Sequence, residues 1–242
     1  MRVLFKNLMF LAAATLLLSG CDSAPGRPVK GSETLAPDEI LDFTTLFSEN
    51  CAGCHGTDGR GGAAIALADP IYLAVADADT MRKIITNGVK GTSMAAFGQS
   101  AGGMLTAKQI DVLTTQIRSR WGKPGILNGD VPPSYVAETT GDVARGEASY
   151  RTYCESCHGP DGGGTPKGSA ITDSSFLALL TDQELRTMVI VGRPDRSAPD
   201  WRNNVPGKPM SDQEITDVVA WLASKRVSTP GQPYPSASHT QP

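Results

Sequence analysis

The chain has 242 residues, a formal net charge of −3 and 19% charged residues. This length suits one large domain or two small ones. The mildly acidic balance leaves no basic surface of the kind that binds nucleic acid. Aromatic residues make up only 6% of the chain, which is sparse for two independent cores, and a bound prosthetic group would supply apolar bulk.

The first twenty residues have the pattern of an export signal. Arg2 and Lys6 give a positive start, and an apolar run follows over residues 8–18. That run is too short for a comfortable membrane span and is typical of a signal peptide. It ends in Leu18-Ser19-Gly20-Cys21, which resembles the bacterial lipobox, where the cysteine becomes the lipidated first residue of the mature protein.

We therefore expect a lipoprotein signal peptide over residues 1–20 and lipid anchoring through Cys21. Because several acyl chains hold a protein stably at a bilayer, the expected location is the periplasmic face of a bacterial membrane. The alternative is an ordinary cleaved signal in which Cys21 has no role.

Gly-, Ser- and Pro-rich stretches divide the rest of the chain. They predict a flexible tether over 21–36, a first domain over 37–121, a linker over 122–141, a second domain over 142–227 and a disordered tail over 228–242.

The two predicted domains repeat one another. The run Cys51-Ala52-Gly53-Cys54-His55-Gly56 corresponds to Cys154-Glu155-Ser156-Cys157-His158-Gly159, and an Asp-Gly pair follows closely in both. An aromatic residue, Phe47 or Tyr150, stands four positions before the first cysteine of each run. The repeat indicates two copies of one structural unit.

The periodicity is helical in both domains. Each ends in an amphipathic segment that opens with a capping-box pattern, Thr106-x-x-Gln109 or Ser211-x-x-Glu214. Gly88 and Gly192 close a preceding helical stretch in each domain. Because no segment alternates as a strand would, we predict an all-α fold.

The Cys-x-x-Cys-His runs indicate covalent haem attachment. Two cysteines three apart can each form a thioether with one vinyl group, and the next histidine is then placed to ligate the iron. This assigns Cys51, Cys54 and His55 to one haem c, and Cys154, Cys157 and His158 to a second. The alternatives are a disulfide, a redox dithiol, for which the βαβ context is missing, and half of a four-ligand zinc site.

Residues 37–227 resemble a tandem diheme member of the class I cytochrome c superfamily. The resemblance implies two domains, each a few helices wrapped around a covalently attached haem, and a function in electron transfer. It also implies a loop that presents a distal methionine to the iron. In the first domain Met94 stands at that place, six residues after Gly88, and Met104 is a competitor interpreted as a buried loop methionine.

The second domain departs from the family pattern, because Ala198 stands six residues after Gly192. Alanine cannot ligate iron. A substitute ligand, first of all Met210, and an iron with an open or water-bound sixth position are equally favoured. Met210 could instead be an apolar staple for the last helix. Met188 is expected in the core. His239, the one histidine outside the two runs, lies in the predicted tail and is a lesser alternative as the ligand.

The leading functional interpretation is a relay of single electrons, with no chemistry on an organic substrate. By resemblance, the partners are a membrane-bound quinol-oxidising complex and a terminal oxidase or reductase, or other cytochromes of respiratory or photosynthetic chains. The alternative is a haem enzyme or small-ligand sensor that uses an open sixth position at the second haem. Asp195, Arg196 and Asp200 would then be candidate acid–base groups, although solvated surface positions are expected for them. The lowest-ranked interpretation makes one domain a docking scaffold.

Overall fold

The computed structural model describes residues 35–230, apart from the side chain of Asp195. The predicted signal peptide, Cys21, His239 and most of the predicted tether and tail lie outside this range. Within residues 35–230 no helix is both long enough and apolar enough to cross a membrane.

The described chain forms the same series of five α-helices twice. The first series is α1 Phe43–Asn50, α2 Ala52–His55, α3 Pro70–Val75, α4 Ala78–Asn87 and α5 Ala107–Trp121. The second is α6 Val143–Tyr153, α7 Glu155–His158, α8 Ser174–Ala178, α9 Asp182–Val191 and α10 Asp212–Ala223. Over residues 35–230 there are isolated β-bridges but no β-strand. The predicted all-α fold is therefore confirmed.

Side-chain caps account for where the longer helices begin. Both predicted capping boxes form, at Thr106 with Gln109 and at Ser211 with Glu214. A third box, Thr181 with Glu184, opens α9. Each box pairs side-chain oxygens with backbone N–H groups that have no partner inside the helix.

The short helices α3 and α8 were not predicted from the sequence. Each begins after an aspartate, Asp69 or Asp173, whose carboxylate accepts backbone N–H bonds from the first turn. Five or six residues are too few to show a helical period, so only the cap marked them.

The apolar stripe predicted for the last helix of each series is buried. In α5 the buried side chains include Ile110, Leu113 and Ile117. In α10 they include Ile215, Val218, Val219 and Leu222. These stripes pack against the first helix of the same series.

In the second series α6 and α10 cross at Gly146. A Cβ atom at that position would lie 2.0 Å from the backbone oxygen of Asp217 and 2.8 Å from the Cβ of Trp221. One turn further on, the Tyr150 ring stacks on the Trp221 ring with centroids 4.2 Å apart. The missing side chain lets the two backbones touch, and the stacked rings fill the space beside that contact.

In the first series, aromatic side chains fill the corresponding helix crossing. Phe43 occupies the position that corresponds to Gly146, and it stacks on Phe47 with ring centroids 5.4 Å apart. The Trp121 ring meets Phe47 edge-on at 5.3 Å. The bulk of these rings replaces the direct backbone contact of the second series.

Residues 122–141 have no regular structure of their own, but they are bound to the second series. The Ser134 N–H donates to Asp212 at 3.0 Å. The buried Arg186 guanidinium donates to the Ser134 carbonyl at 2.8 Å and to Asp212 at 2.5 Å. Arg202 donates to the Ile126 carbonyl at 3.2 Å. This segment is therefore fixed along the protein surface rather than free.

Gly146→Ala should destabilise the protein, because its methyl group would overlap the Asp217 backbone. Overpacking of this kind costs about 1–3 kcal/mol, and thermal unfolding followed by circular dichroism should show a lower Tm. Gly163→Ala is the matched control, since a Cβ there meets nothing within 4 Å. Equal stability of both variants and the wild type would contradict the proposed crossing.

Candidate haem-binding sites

Each Cys-x-x-Cys-His run lies in a tight turn directly after the first helix of its series. The Cys51 N–H donates to the Phe47 carbonyl at 2.8 Å and ends α1. The Cys154 N–H does the same with the Tyr150 carbonyl at 2.8 Å and ends α6. The remaining residues of each run form the single-turn helices α2 and α7, so both cysteines and the histidine are held on one short turn.

Backbone carbonyls orient both histidine rings. His55 Nδ1 lies 2.8 Å from the Ile65 carbonyl oxygen. His158 Nδ1 lies 2.7 Å from the Ser169 carbonyl oxygen. Because a carbonyl only accepts, each Nδ1 must carry the proton, and Nε2 keeps the lone pair that can bind a metal. Both rings thus have the tautomer and the fixed orientation of an iron ligand.

No disulfide joins the four cysteines of the two runs in the structure. Burial, with a contribution from the neighbouring thiol, raises the pKa of Cys51 and of Cys154 to about 12. A redox dithiol normally needs a thiol with a lowered pKa. Two unpaired thiols and a metal-ready imidazole on one turn match the attachment chemistry of haem c.

The two histidines differ in burial. His55 is 7% exposed, and burial lowers its pKa despite its bond to the Ile65 carbonyl. His158 is only partly buried. The second site is therefore more open around its histidine than the first.

Met94 lies in the loop after α4 and is partly buried. Its N–H donates to Thr92 Oγ1 at 3.0 Å, and its carbonyl accepts from the Val89 N–H at 2.9 Å. Met104, the competitor, is 80% exposed. The expectation of a buried Met104 was wrong, because the loop turns that side chain outward just before α5.

Met210 is 3% exposed and directly precedes α10, which agrees with the staple interpretation. Its Sδ atom lies 3.6 Å from Asn204 Nδ2. Met188, on α9, is partly buried. The roles of Met94 and Met210 as iron ligands stay predictions.

Of the three candidate acid–base groups in the loop after α9, Arg196 is exposed, as expected. Asp200 was also expected to be a solvated surface residue, and this expectation was wrong. Its carboxylate is 11% exposed and pairs with Arg202 at 2.7 Å. A carboxylate in such an ion pair is held by its partner and is poorly placed for proton transfer.

Comparison with known proteins identifies the unit that is repeated. The family model described as cytochrome c oxidase, cbb3-type, subunit III matches residues 38–114 and again 141–222. Each match contains one complete Cys-x-x-Cys-His run.

Two curated relatives show the range of similarity. The cbb3-type cytochrome c oxidase subunit CcoP of Azospirillum sp. (strain B510) is 35% identical over 126 residues, which are 48% of this chain and 38% of that protein. The cytochrome bc1 complex cytochrome c subunit of Mycobacterium bovis is 22% identical over 183 residues, 73% of this chain and 60% of that protein. The chain thus covers less than two thirds of the length of either relative.

Among solved structures, a chain of the reducing HAO-like protein complex of Kuenenia stuttgartiensis gives a TM-score of 0.42 at 16% identity. The matched region covers 80% of this chain and 100% of that chain.

The donor sets and the two family matches together assign two covalently bound haem c groups, one to each Cys-x-x-Cys-His turn.

The mature wild type should carry the mass of two haems, and both should survive acid–acetone extraction. Cys51→Ala with Cys54→Ala should leave one covalent haem, and so should Cys154→Ala with Cys157→Ala, because each pair serves only its own turn. Ser156→Ala, between the cysteines of the second run, should keep both. Mass spectrometry that finds one haem or a zinc ion in the wild type would contradict the assignment.

Proposed function

Because the chain belongs to the family of cytochrome c oxidase, cbb3-type, subunit III, we propose that it relays single electrons between membrane-associated redox partners. The observation that carries the proposal is the presence in one chain of two complete haem-attachment turns, each with its histidine oriented by a carbonyl. When bound, a haem c supplies an iron that changes its charge by one without further chemistry.

The protein's own part in this function is to hold two redox centres rigidly. The carbonyls of Ile65 and Ser169 fix the proximal imidazoles. Fixed ligands keep the coordination geometry similar in both oxidation states, which lowers the reorganisation that accompanies electron exchange.

The bound segment between the two series supports electron transfer within the chain. Gln183 Nε2, on α9, donates to the Tyr135 carbonyl at 2.7 Å. The Tyr135 side chain in turn interacts with Tyr72 on α3 of the first series. Contacts on both sides of the segment limit changes in the separation of the two haems.

Met94 is the sixth ligand that we propose for the first haem. It lies in the loop where the class I cytochrome c pattern has its distal methionine, and its backbone is held on both sides by Val89 and Thr92. A histidine–methionine pair favours a higher potential than two histidines.

The partners that we propose are a quinol-oxidising complex as donor and a terminal oxidase or reductase as acceptor. The relatives' names describe a subunit of a cbb3-type cytochrome c oxidase and a cytochrome c subunit of a bc1 complex. A place for this chain in either kind of complex, or as a separate carrier between them, is part of the proposal.

Anchoring through Cys21 would confine such a relay to the periplasmic membrane surface. The support is the sequence Leu18-Ser19-Gly20-Cys21 after an apolar run. Confinement to one surface raises the effective concentration of a carrier near partners in the same membrane.

Met94→Ala should remove the methionine–iron charge-transfer band of the first haem. It should also lower the reduction potential of that haem by a sizeable part of the roughly 0.8 V range that axial ligands span.

Reduced wild type mixed rapidly with membranes that contain a terminal oxidase should be reoxidised at both haems, whereas the Met94→Ala variant should show altered reoxidation kinetics at the first haem. Met104→Leu is the control, because Met104 is exposed. An unchanged Met94→Ala spectrum would refute the ligand, and a wild type that is not reoxidised would refute the relay.

Cys21→Ser should prevent lipid attachment, since a hydroxyl cannot replace the thiol in lipoprotein processing. The wild type should enter the detergent phase on Triton X-114 partitioning, while Ser23→Ala, just after the lipobox, should behave like the wild type. A processed wild type that stays in the aqueous phase would contradict the anchor without affecting the haem sites.

A further inference from the structure

The loops that follow α4 and α9 share one backbone hydrogen bond at the same distance from the glycine that ends each helix. In the first, the Val89 N–H donates to the Met94 carbonyl at 2.9 Å. In the second, the Arg193 N–H donates to the Ala198 carbonyl at 2.9 Å. The correspondence of Met94 with Ala198 therefore rests on matching backbone bonds as well as on counting residues.

The glycines that open these turns confirm the register. Gly88 has a φ of +67° and Gly192 a φ of +71°, a region that side chains disfavour. A Cβ at Gly88 would lie 2.5 Å from the Met94 carbonyl oxygen, and one at Gly192 would lie 2.7 Å from that of Ala198. The second loop thus places a methyl group, which has no lone pair, where the first places a thioether.

Met210 corresponds to an apolar core residue of the first series. The Met210 N–H donates to the Trp201 carbonyl at 2.9 Å, as the Leu105 N–H donates to the Phe97 carbonyl at 2.7 Å. Leu105 is 5% exposed and Met210 is 3% exposed. Each residue directly precedes the capping box of the last helix. Met210 therefore has the enclosed position of an apolar residue just before the last helix, as Leu105 has in the first series.

Ion pairs hold the second loop in this arrangement. Arg202 pairs with Asp200 at 2.7 Å and with Asp130 at 3.5 Å, and its side chain is 14% exposed. It also donates to the Ile126 carbonyl at 3.2 Å. The neighbouring Trp201 is 2% exposed. Refolding the loop to bring Met210 over an iron would break the bonds from Arg202 to the Ile126 carbonyl and to Asp130. The largely buried guanidinium would then need new partners, because an unsatisfied buried donor is costly.

We propose that this loop gives the second haem no protein ligand at the sixth iron position, and that the position is a binding site for a small neutral diatomic ligand of ferrous haem. The inference rests on the haem assignment and on the proposed relay function, and it adds a ligand site to one of the two redox centres. A histidine-ligated haem with a free distal position is high-spin and binds such ligands, whereas a methionine-ligated haem does not do so readily.

Carbon monoxide is the probe. The full-length, dithionite-reduced wild type should bind one carbon monoxide for every two haems, and the oxidised protein should show one high-spin and one low-spin haem by electron paramagnetic resonance. Ala198→Met should convert the high-spin signal to low-spin and abolish carbon monoxide binding, because it restores the thioether of the first loop. Ala198→Leu is the control of similar size without sulfur, and its second haem should stay high-spin.

Met210→Leu and Met188→Leu should keep the wild-type spin states and the wild-type stoichiometry. A wild type with two low-spin haems that binds no carbon monoxide would overturn the proposal. So would a high-spin signal that appears only in Met210→Leu or Met188→Leu, because it would identify the missing ligand. Reduction of both haems by dithionite and their reoxidation by ferricyanide, measured on the same samples, separates the ligand site from the relay. If both haems cycle but carbon monoxide does not bind, the ligand site fails and the relay stands.

Discussion

The crossing of the first and last helices of each series is the contact on which the rest of the structure depends. Each Cys-x-x-Cys-His turn starts where the first helix ends, so its position is set by what holds that helix. In the second series the backbones meet at Gly146, and the Tyr150 ring stacks on Trp221 at 4.2 Å. The Tyr150 hydroxyl also donates to the Gly159 carbonyl just after the haem turn, which ties the crossing directly to the site.

The first series keeps this architecture with different side chains. Phe43 stands where the second series has Gly146, and the Trp121 ring fills the crossing instead of a close backbone contact. The histidine–carbonyl bonds of the two turns nevertheless agree within 0.1 Å, at 2.8 Å and 2.7 Å. Packing at the crossing therefore varies between the copies, while the orientation of the proximal histidine does not. The copies also differ in the loop that we propose to lie over each haem, where Ala198 corresponds to Met94.

Local sequence signals predicted the parts of the fold that local physics determines. The capping boxes at Thr106 and Ser211 and the apolar stripes of α5 and α10 depend on residues three or four apart, so one sequence was sufficient. The short helices α3 and α8 were missed because they span less than two helical turns, which is too short for a repeating apolar pattern. The attachment of residues 122–141 could not be read from the sequence, since Arg186 binds a carbonyl 52 residues away. The outward turn of Met104 and the buried pairing of Asp200 likewise depend on tertiary packing.

A potentiometric titration of the full-length protein, followed by its haem absorption, tests the central claim that one chain holds two one-electron centres. We expect two electrons per chain, taken up in two one-electron steps with different absorption spectra, because the proposed distal loops differ at Met94 and Ala198. One electron per chain would contradict the two-haem relay. Two steps with the same spectrum would contradict the proposed difference between the haems.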